Sequence, residues 1–363
     1  MIESFHTPLA PLTTMRVGGP ADRLVLAETT DDLVDVVREI DDADEPLLLI
    51  SGGSNLVIAD AGFRGTAVKV ASRGITVESS DQCGGATVRV AAGEPWDEFV
   101  AYAIAQGWSG VEALSGIPGC VGSTPVQNVG AYGQEVADTI ASVRLWDRRE
   151  QRVTTLAAAD CGFGYRESLI KRSGGRYVVL DVAFQFLLGG LSAPIRYADL
   201  AAGLGVTLGE RVPVAAAREA VLEQRRRRGM VLDEGDHDTW SCGSFFTNPL
   251  VPQDDVPVIE DRVATRLGVD AAGSMPSWPA TLPDGQPAIK LSAAWLIERA
   301  GFGKGFGMPG PAALSTRHTL AITNRGGATA RDVVSLAATI RDGVRDAFGV
   351  TLVNEPVLVG ESL

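Results

Sequence analysis

Residues 115–133 contain five glycines, two prolines and the adjacent amides Gln127 and Asn128, a composition that no helix or strand accommodates. An irregular run of that length inside a compact domain is either a binding element or a disordered one. Ile117, Val121, Val126 and Val129 punctuate it, whereas disorder requires a polar, charged composition. The run therefore reads as a buried loop wrapped on a flat cofactor, held by a rigid frame.

The flanking sequence supplies such a frame and reads as α+β. Through the first 70 or so residues strand and helix alternate. Residues 24–26 form a short strand. Thr30 caps a helix with Asp31 and Asp32 in its first turn and Leu33, Val36, Val37 and Ile40 on one face. The apolar run Leu47-Leu48-Leu49-Ile50 is a buried strand leading into Ser51-Gly52-Gly53-Ser54-Asn55. From about residue 72 strands dominate, at 75–78, 87–91, 143–146, 153–156 and 177–186. In the last of these Val182, Phe184 and Phe186 alternate with Ala183 and Gln185, the pattern of a half-buried strand. One helix interrupts them, with Trp96, Phe99, Val100, Ala103 and Ile104 on one side and Gly107 as its stop. Pro213 opens a helix that turns Val214, Ala217, Val221 and Leu222 inward and ends in Arg225-Arg226-Arg227-Arg228 and Gly229. Residues 250–287, rich in Pro, Asp and Gly, read as mostly loop around one short helix. A long helix with Val333, Leu336, Ile340, Val344 and Phe348 on one face stops at Gly349 and leads into terminal strands.

Composition narrows the function. With 363 residues, 45% of them hydrophobic and 21% charged, the chain fills two or three domains with a sizeable core and no need of disulfides. A net charge of −13 argues against nucleic acid as a partner, because phosphate neutralisation needs a basic surface. It also means that an anionic substrate must be held by a local cluster of Arg and Lys. Cys83, Cys120, Cys161 and Cys242 form no CxxC pair and read as free thiols, and His6, His237 and His318 lack metal-ligand spacing, so no metal is expected. Residues 1–6 lack the basic-then-apolar pattern of a signal peptide, and no apolar run is long enough to span a bilayer. The expectation is a cytoplasmic protein with a small-molecule substrate, no membrane insertion and no obligate protein partner.

Gly52-Gly53-Ser54-Asn55 sits at a strand's end, where successive backbone N–H groups converge on an anion, as a pyrophosphate requires. On its own the same tetrapeptide reads equally as a tight turn. It is neither a P-loop nor a GxGxxG fingerprint. Gly301, Gly303, Gly305 and Gly307 follow a helix and read as a helix stop. The arginine run at 225–228 is the ordinary preference of cations for a helix C-terminus, with use of one of them for phosphates as the alternative.

Several motifs in order then carry a resemblance. The two glycine regions, Gly162-Phe163-Gly164-Tyr165-Arg166-Glu167-Ser168, and Gly243-Ser244-Phe245-Phe246-Thr247 followed by Asn248-Pro249 are together similar to the UDP-N-acetylenolpyruvoylglucosamine reductase (MurB) family, over residues 13–360. The resemblance implies a two-subdomain α+β FAD-binding fold of the PCMH/vanillyl-alcohol-oxidase type plus a third α+β substrate-binding subdomain. The expected division is 1–71, then 72–228 with 353–363, then 229–352. It implies noncovalent FAD, with NADPH as co-substrate, held by Gly52, Gly53, Ser54, Asn55, Ser115, Gly116, Ile117, Pro118, Gly119, Gly122, Gln127, Asn128, Gly130, Ala131 and Tyr132. It implies that a nucleotide-sugar enol ether is reduced, with Ser244 as proton donor and Arg166 and Glu355 flanking the enolpyruvyl group. An enolate conjugated to a carboxylate needs such partners to spread its charge. Without the resemblance Ser244 is a turn residue, Arg166 a surface ion pair and Glu355 an edge charge. Tyr197, Asn248 and Lys290 are the implied substrate contacts, Tyr197 in a loop that closes over the diphosphate. The chain departs from the family at Met230, where this branch often has lysine, which leaves Arg228 or a neighbour for the phosphate. It departs again at Asn354, where proline commonly precedes the glutamate. The rival reading is an FAD-dependent alcohol or lactone oxidase. Many of those link flavin through a loop histidine, and neither glycine region contains one.

Overall fold

The computed structural model describes residues 1–81, 83–282 and 284–363, and the chain divides into two compact units. The first comprises Met1–Thr7, Pro20–Gly53 and Phe63–Val231. Its four-stranded sheet has the order Ile2–Pro8, Pro20–Ala27, Phe63–Val70, Leu47–Ile50, with the last three parallel. The helix Thr30–Asp42 buries Leu33, Val36, Val37 and Ile40 as its period dictates. Its N-cap is Thr29, not Thr30: the Thr29 hydroxyl accepts the Asp32 N–H and the Asp32 carboxylate returns the bond, a box that outcompetes a cap one residue later.

A five-stranded antiparallel sheet follows, in the order Arg152–Ala157, Ile140–Asp147, Tyr177–Phe186, Gly85–Ala91, Ile75–Asp81. The helix Trp96–Ala105 lies on it, and the ring of Phe99 is 5.1 Å from Phe184 and 6.0 Å from Phe186. The Tyr177–Phe186 strand is buried on both faces except at Gln185 and the half-buried Tyr177, so the half-buried expectation is corrected. On the second face Asp181 is covered by Arg89 and Arg144 reaching in from the neighbouring strands. Two further helices, Ala198–Leu204 and Val214–Arg227, pack Leu200, Ala201, Ala217 and Val221 into a small core of their own.

The second unit is assembled from Pro8–Gly19, Ser54–Gly62 and Leu232–Leu363. Leu56–Ile58 pairs in parallel with Val357–Val359, and Met15, Val17 and Val57 enter the same core as Phe245, Leu296 and Phe348. The Asn324 amide donates to the Met15 carbonyl, and the Asp60 carboxylate accepts the N–H groups of Ala330 and Arg331 at the start of the long helix Ala330–Phe348. That helix stops at Gly349, as expected, and is capped by Thr329 in a capping box with Asp332. Residues 250–287 are more regular than expected. They hold the helices Val256–Leu267 and Val269–Gly273 and the strands Leu250–Pro252 and Ser277–Thr281, which flank Pro287–Leu291. The prolines that suggested loop are compatible with this, since Pro257 sits in a first helical turn and Pro279 on an edge strand.

The expected boundary at 228/229 lies three residues from the Val231/Leu232 break between units, and the two sheets of the first unit meet near the expected boundary at 71/72. Residues 353–363, expected with 72–228, group with the second unit, because Val357–Val359 is hydrogen-bonded to Leu56–Ile58. Among the described residues no helix is long and apolar enough to cross a membrane.

Candidate active site

In the first unit the end of strand Leu47–Ile50 and the loop at Gly119 come into backbone contact. A Cβ on Gly52 would stand 2.3 Å from the Gly119 Cα and 2.8 Å from its carbonyl carbon, so only glycine allows these two loops to converge. The Gly119 loop is fixed by Trp96 N–H to Gly119 O (3.0 Å), Val121 N–H to Glu94 O (2.9 Å) and Gly122 N–H to Ala92 O (2.8 Å). The Ser51 hydroxyl oxygen is buried beside this junction without a hydrogen-bond partner among the described residues. The Lys69 ammonium donates to the Ser51 carbonyl. Converging backbone and an unsatisfied buried hydroxyl fit the phosphate portion of a dinucleotide such as FAD, whose anionic oxygens accept from just such groups.

Within residues 115–133 the expected cofactor contacts divide in two. Ser115, Asn128 and Gly122 brace the loop. The Ser115 hydroxyl donates to Glu112 O (2.7 Å), and the Asn128 amide donates to Glu135 (2.7 Å) and Gly164 O (3.1 Å) while accepting the Ala137 N–H. A Cβ on Gly122 would meet the Ala92 Cβ at 2.5 Å. Ile117, Pro118, Gly119, Gln127, Gly130, Ala131 and Tyr132 are half-buried, the condition of a lining. Gly116 donates to Asp97 (2.6 Å), whose carboxylate also takes a two-pronged bond from Arg218. Burial pushes the Asp97 carboxyl up, but Arg218 and the Gly116 N–H outweigh it and hold it below the usual carboxylate range.

Arg166 occupies the left-handed position (φ 54°) of a turn closed by Gly164 and Glu167. Its guanidinium donates to Gly130 O (2.9 Å) and Asn128 O (3.4 Å), which ties it to the loop.

The same unit groups four more polar side chains. The rings of Tyr132 and Tyr197 meet edge to face at 5.3 Å, Arg225 faces the Tyr132 hydroxyl and Arg228 faces that of Tyr197. Burial raises the Tyr132 phenol, opposed by Arg225 and Arg228. Arg225 also donates to Met230 O (2.7 Å), and Arg228 pairs with Asp199 (2.9 Å), so the arginine run is more than a solvated helix end.

In the second unit Gly243-Ser244-Phe245-Phe246 runs antiparallel to residues 353–355. The Glu355 N–H donates to Phe245 O (2.8 Å), Thr247 N–H donates to Val353 O (3.1 Å), and Asn354 bridges Phe246. This brings the Ser244 and Glu355 segments side by side, and Asn55 donates to the Glu355 carbonyl (3.2 Å). Phe245 and Phe246 are buried with their rings 5.3 Å apart, while Ser244 and Glu355 are half-buried. Nearby Cys242 is no competing acid, because burial pushes its thiol up to about 12. Asn248 accepts the Ala293 N–H (3.0 Å) at the start of the Ala293–Arg299 helix. Lys290 lies on Pro287–Leu291 opposite Trp278, its ammonium 5.8 Å from the ring centre.

Sequence reasoning missed Lys69 and Glu112. Glu112 is 1% exposed, and its carboxylate accepts from Gly110 N (2.6 Å), Ala193 N (2.6 Å) and Gln134 Nε2 (2.9 Å), joining the loop to the segment that leads to Tyr197. A charged residue between buried Val111 and Ala113, and a lysine between buried Val68 and Val70, were the available signals.

Residues 21–156 match the FAD binding domain family, and residues 235–359 match UDP-N-acetylenolpyruvoylglucosamine reductase, C-terminal domain. A UDP-N-acetylenolpyruvoylglucosamine reductase of Streptomyces coelicolor is 54% identical over 100% of this chain and 92% of its own length. One of Cutibacterium acnes is 54% identical over 97% and 89%. A crystal structure of the Thermus caldophilus enzyme of that name superposes with a TM-score of 0.62 at 23% identity, covering 99% of this chain and 98% of that one, a likeness of fold.

Proposed function

The chain belongs to the UDP-N-acetylenolpyruvoylglucosamine reductase family, and on that premise we propose that it reduces UDP-N-acetylglucosamine enolpyruvate to UDP-N-acetylmuramate for peptidoglycan synthesis. NADPH is the reductant and FAD the noncovalent cofactor, and the cytoplasm is the compartment. The observation that carries the reading is the backbone pairing that sets Ser244 beside the Glu355 segment, next to two buried aromatic rings. The oxidase alternative gives that pairing no task.

FAD bound here would supply the hydride-transfer chemistry that links NADPH to the methylene carbon of the enolpyruvyl group. The protein's residues manage charge and the proton. Arg166, held by the Asn128 and Gly130 carbonyls, offsets the substrate carboxylate, and Glu355 partners the developing enolate. Ser244 delivers a proton to the carbon next to the one that receives the hydride. The buried rings of Phe245 and Phe246 keep that hydroxyl's surroundings dry. Tyr197 with Arg228 holds the diphosphate, and Asn248 and Lys290 contact the rest of the nucleotide sugar. The FAD contacts are Gly52 to Asn55 and the lining residues of 115–133. Residues 1–71 and 72–228 hold the cofactor and lend Arg166, Tyr197 and Arg228 to the substrate, whose other contacts come from 229–352 and Glu355.

Ser244→Ala tests the assignment. Stopped-flow absorbance of the flavin separates the two half-reactions. Reduction by NADPH should stay near normal, and reoxidation by the enolpyruvyl substrate should slow roughly 10²- to 10⁴-fold, as for a lost general acid. Ser244→Cys, which keeps a donor, should recover part of the loss. Reoxidation of the alanine variant at the parent rate would remove Ser244 from the role.

A further inference from the structure

The geometry points to Lys69 and the Ser51 hydroxyl as the charge-balancing half of the cofactor cradle, a cation and a donor aimed at the pyrophosphate of FAD. This rests on the FAD reading above, adds Lys69, which neither glycine region contains, and gives the Ser51 hydroxyl a task.

Three observations converge. The Gly52–Gly119 contact makes a close backbone junction with no room for a Cβ. Directly at it, the Ser51 hydroxyl is buried and unsatisfied among the described residues. A buried hydroxyl left that way costs free energy unless a ligand completes it. Lys69 lies opposite Ile50 in the parallel ladder between Phe63–Val70 and Leu47–Ile50, one residue short of the junction, and its ammonium donates to the Ser51 carbonyl.

The charge around Lys69 is unbalanced. The titratable groups that face it are the Cys120 thiol and the Arg73 guanidinium. Arg73 pairs with Glu94 (3.3 Å), and among the described residues no carboxylate pairs with Lys69. Its surroundings already strip solvent from the ammonium, since burial lowers its pKa. A half-buried cation without an acid partner is what a site looks like when the counter-charge arrives with the ligand. In a chain of net charge −13, such a local cation is also how an anionic cofactor is held at all.

The test is titration of apoprotein with FAD, followed by flavin fluorescence, in the parent, Lys69→Gln and Lys69→Arg, with thermal melts of each apoprotein. Glutamine retains a donor for the Ser51 carbonyl but no charge. We expect Lys69→Gln to weaken FAD roughly 10- to 150-fold, the range for a lost charged hydrogen bond, with its apoprotein melting no lower than the parent. Lys69→Arg should stay within a few-fold of the parent. Lys69→Gln binding FAD as tightly as the parent, or both variants losing FAD together with apoprotein stability, overturns the proposal. Should Lys69→Gln not fold, Ser51→Ala decides: it should weaken FAD while leaving or raising apoprotein stability, and unchanged affinity overturns the proposal. A parent that takes up no FAD would instead sink the cofactor reading on which this rests.

Discussion

Gly52→Ala is the substitution whose effect follows most directly from the structure. The added methyl would lie 2.3 Å from the Gly119 Cα, 2.8 Å from its carbonyl carbon and 3.0 Å from its nitrogen. Carbon atoms prefer about 3.5–4.0 Å, so the two backbones must part by roughly an ångström. Neither gives easily. Gly119 O is bonded to Trp96 N–H, the adjoining Val121 and Gly122 are bonded to Glu94 and Ala92, and Ile50 is paired in its sheet. Overpacking of this kind costs about 1–3 kcal/mol. Because the cradle's donors converge on one anion, an ångström of separation should also cost FAD about one charged hydrogen bond, or roughly 10- to 150-fold in affinity. Gly303→Ala is the control, having open space within 4 Å and no left-handed φ. Thermal melts and flavin titration of both variants give the comparison. A Gly52→Ala protein that folds and binds FAD within twofold of the parent would refute the argument, as would equal loss in the control.

Tyr197→Phe removes the hydroxyl facing Arg228 and should weaken use of the sugar nucleotide by roughly 10- to 150-fold while leaving flavin reduction by NADPH unchanged. Steady-state KM and single-turnover reduction rates separate the two. Glu112→Gln replaces one acceptor oxygen with a donor opposite an N–H, so one buried bond becomes a clash of donors, and a loss of about 1–3 kcal/mol should appear in denaturant unfolding. Asp147 is held at about 2, chiefly by the Arg176 guanidinium, against an ordinary 3.8. A depressed carboxyl contributes stability that is present above the ordinary value and lost as pH falls through the folded one. The parent should therefore lose melting temperature more steeply than Asp147→Asn between pH 4 and 2, and parallel curves would show that the pair is not linked to folding.

What could be read from the chain alone depended on how local the cause was. The Ala330–Phe348 helix was legible because its inward stripe and its stop at Gly349 are set within its own turns. The bounds of the Tyr177–Phe186 strand were legible too, but not its second buried face, which depends on Arg89 and Arg144 closing over Asp181 from other strands. Residues 250–287 were expected to hold one short helix and otherwise loop, because their Pro, Asp and Gly counted against regular structure, although Ile259 and Val263 of the Val256–Leu267 helix stand one turn apart. Ser244, Arg166 and Glu355 carried no chemistry by themselves, and only the ordered motifs singled them out. Glu112 and Lys69 stayed hidden for a related reason. Their partners, Ala193 and Ser51, lie far off in sequence, and no local pattern encodes that meeting.

The patchwork origin of the second unit bears on how this protein can be dissected. A fragment expressed from Leu232 onward carries most of that unit's residues but not Met15, Val17 and Val57, whose removal leaves vacancies in its core. It also lacks Asp60 to receive Ala330, Met15 to receive Asn324, and Leu56–Ile58 to pair with Val357–Val359. Such a fragment should aggregate or remain molten. Supplying residues 8–19 and 54–62 in trans, or splicing them on by short linkers, should restore it. Modularity in this chain is therefore a property of space and not of sequence. Swapping pieces between relatives at the 231/232 junction would leave each chimera with a core drawn from two parents.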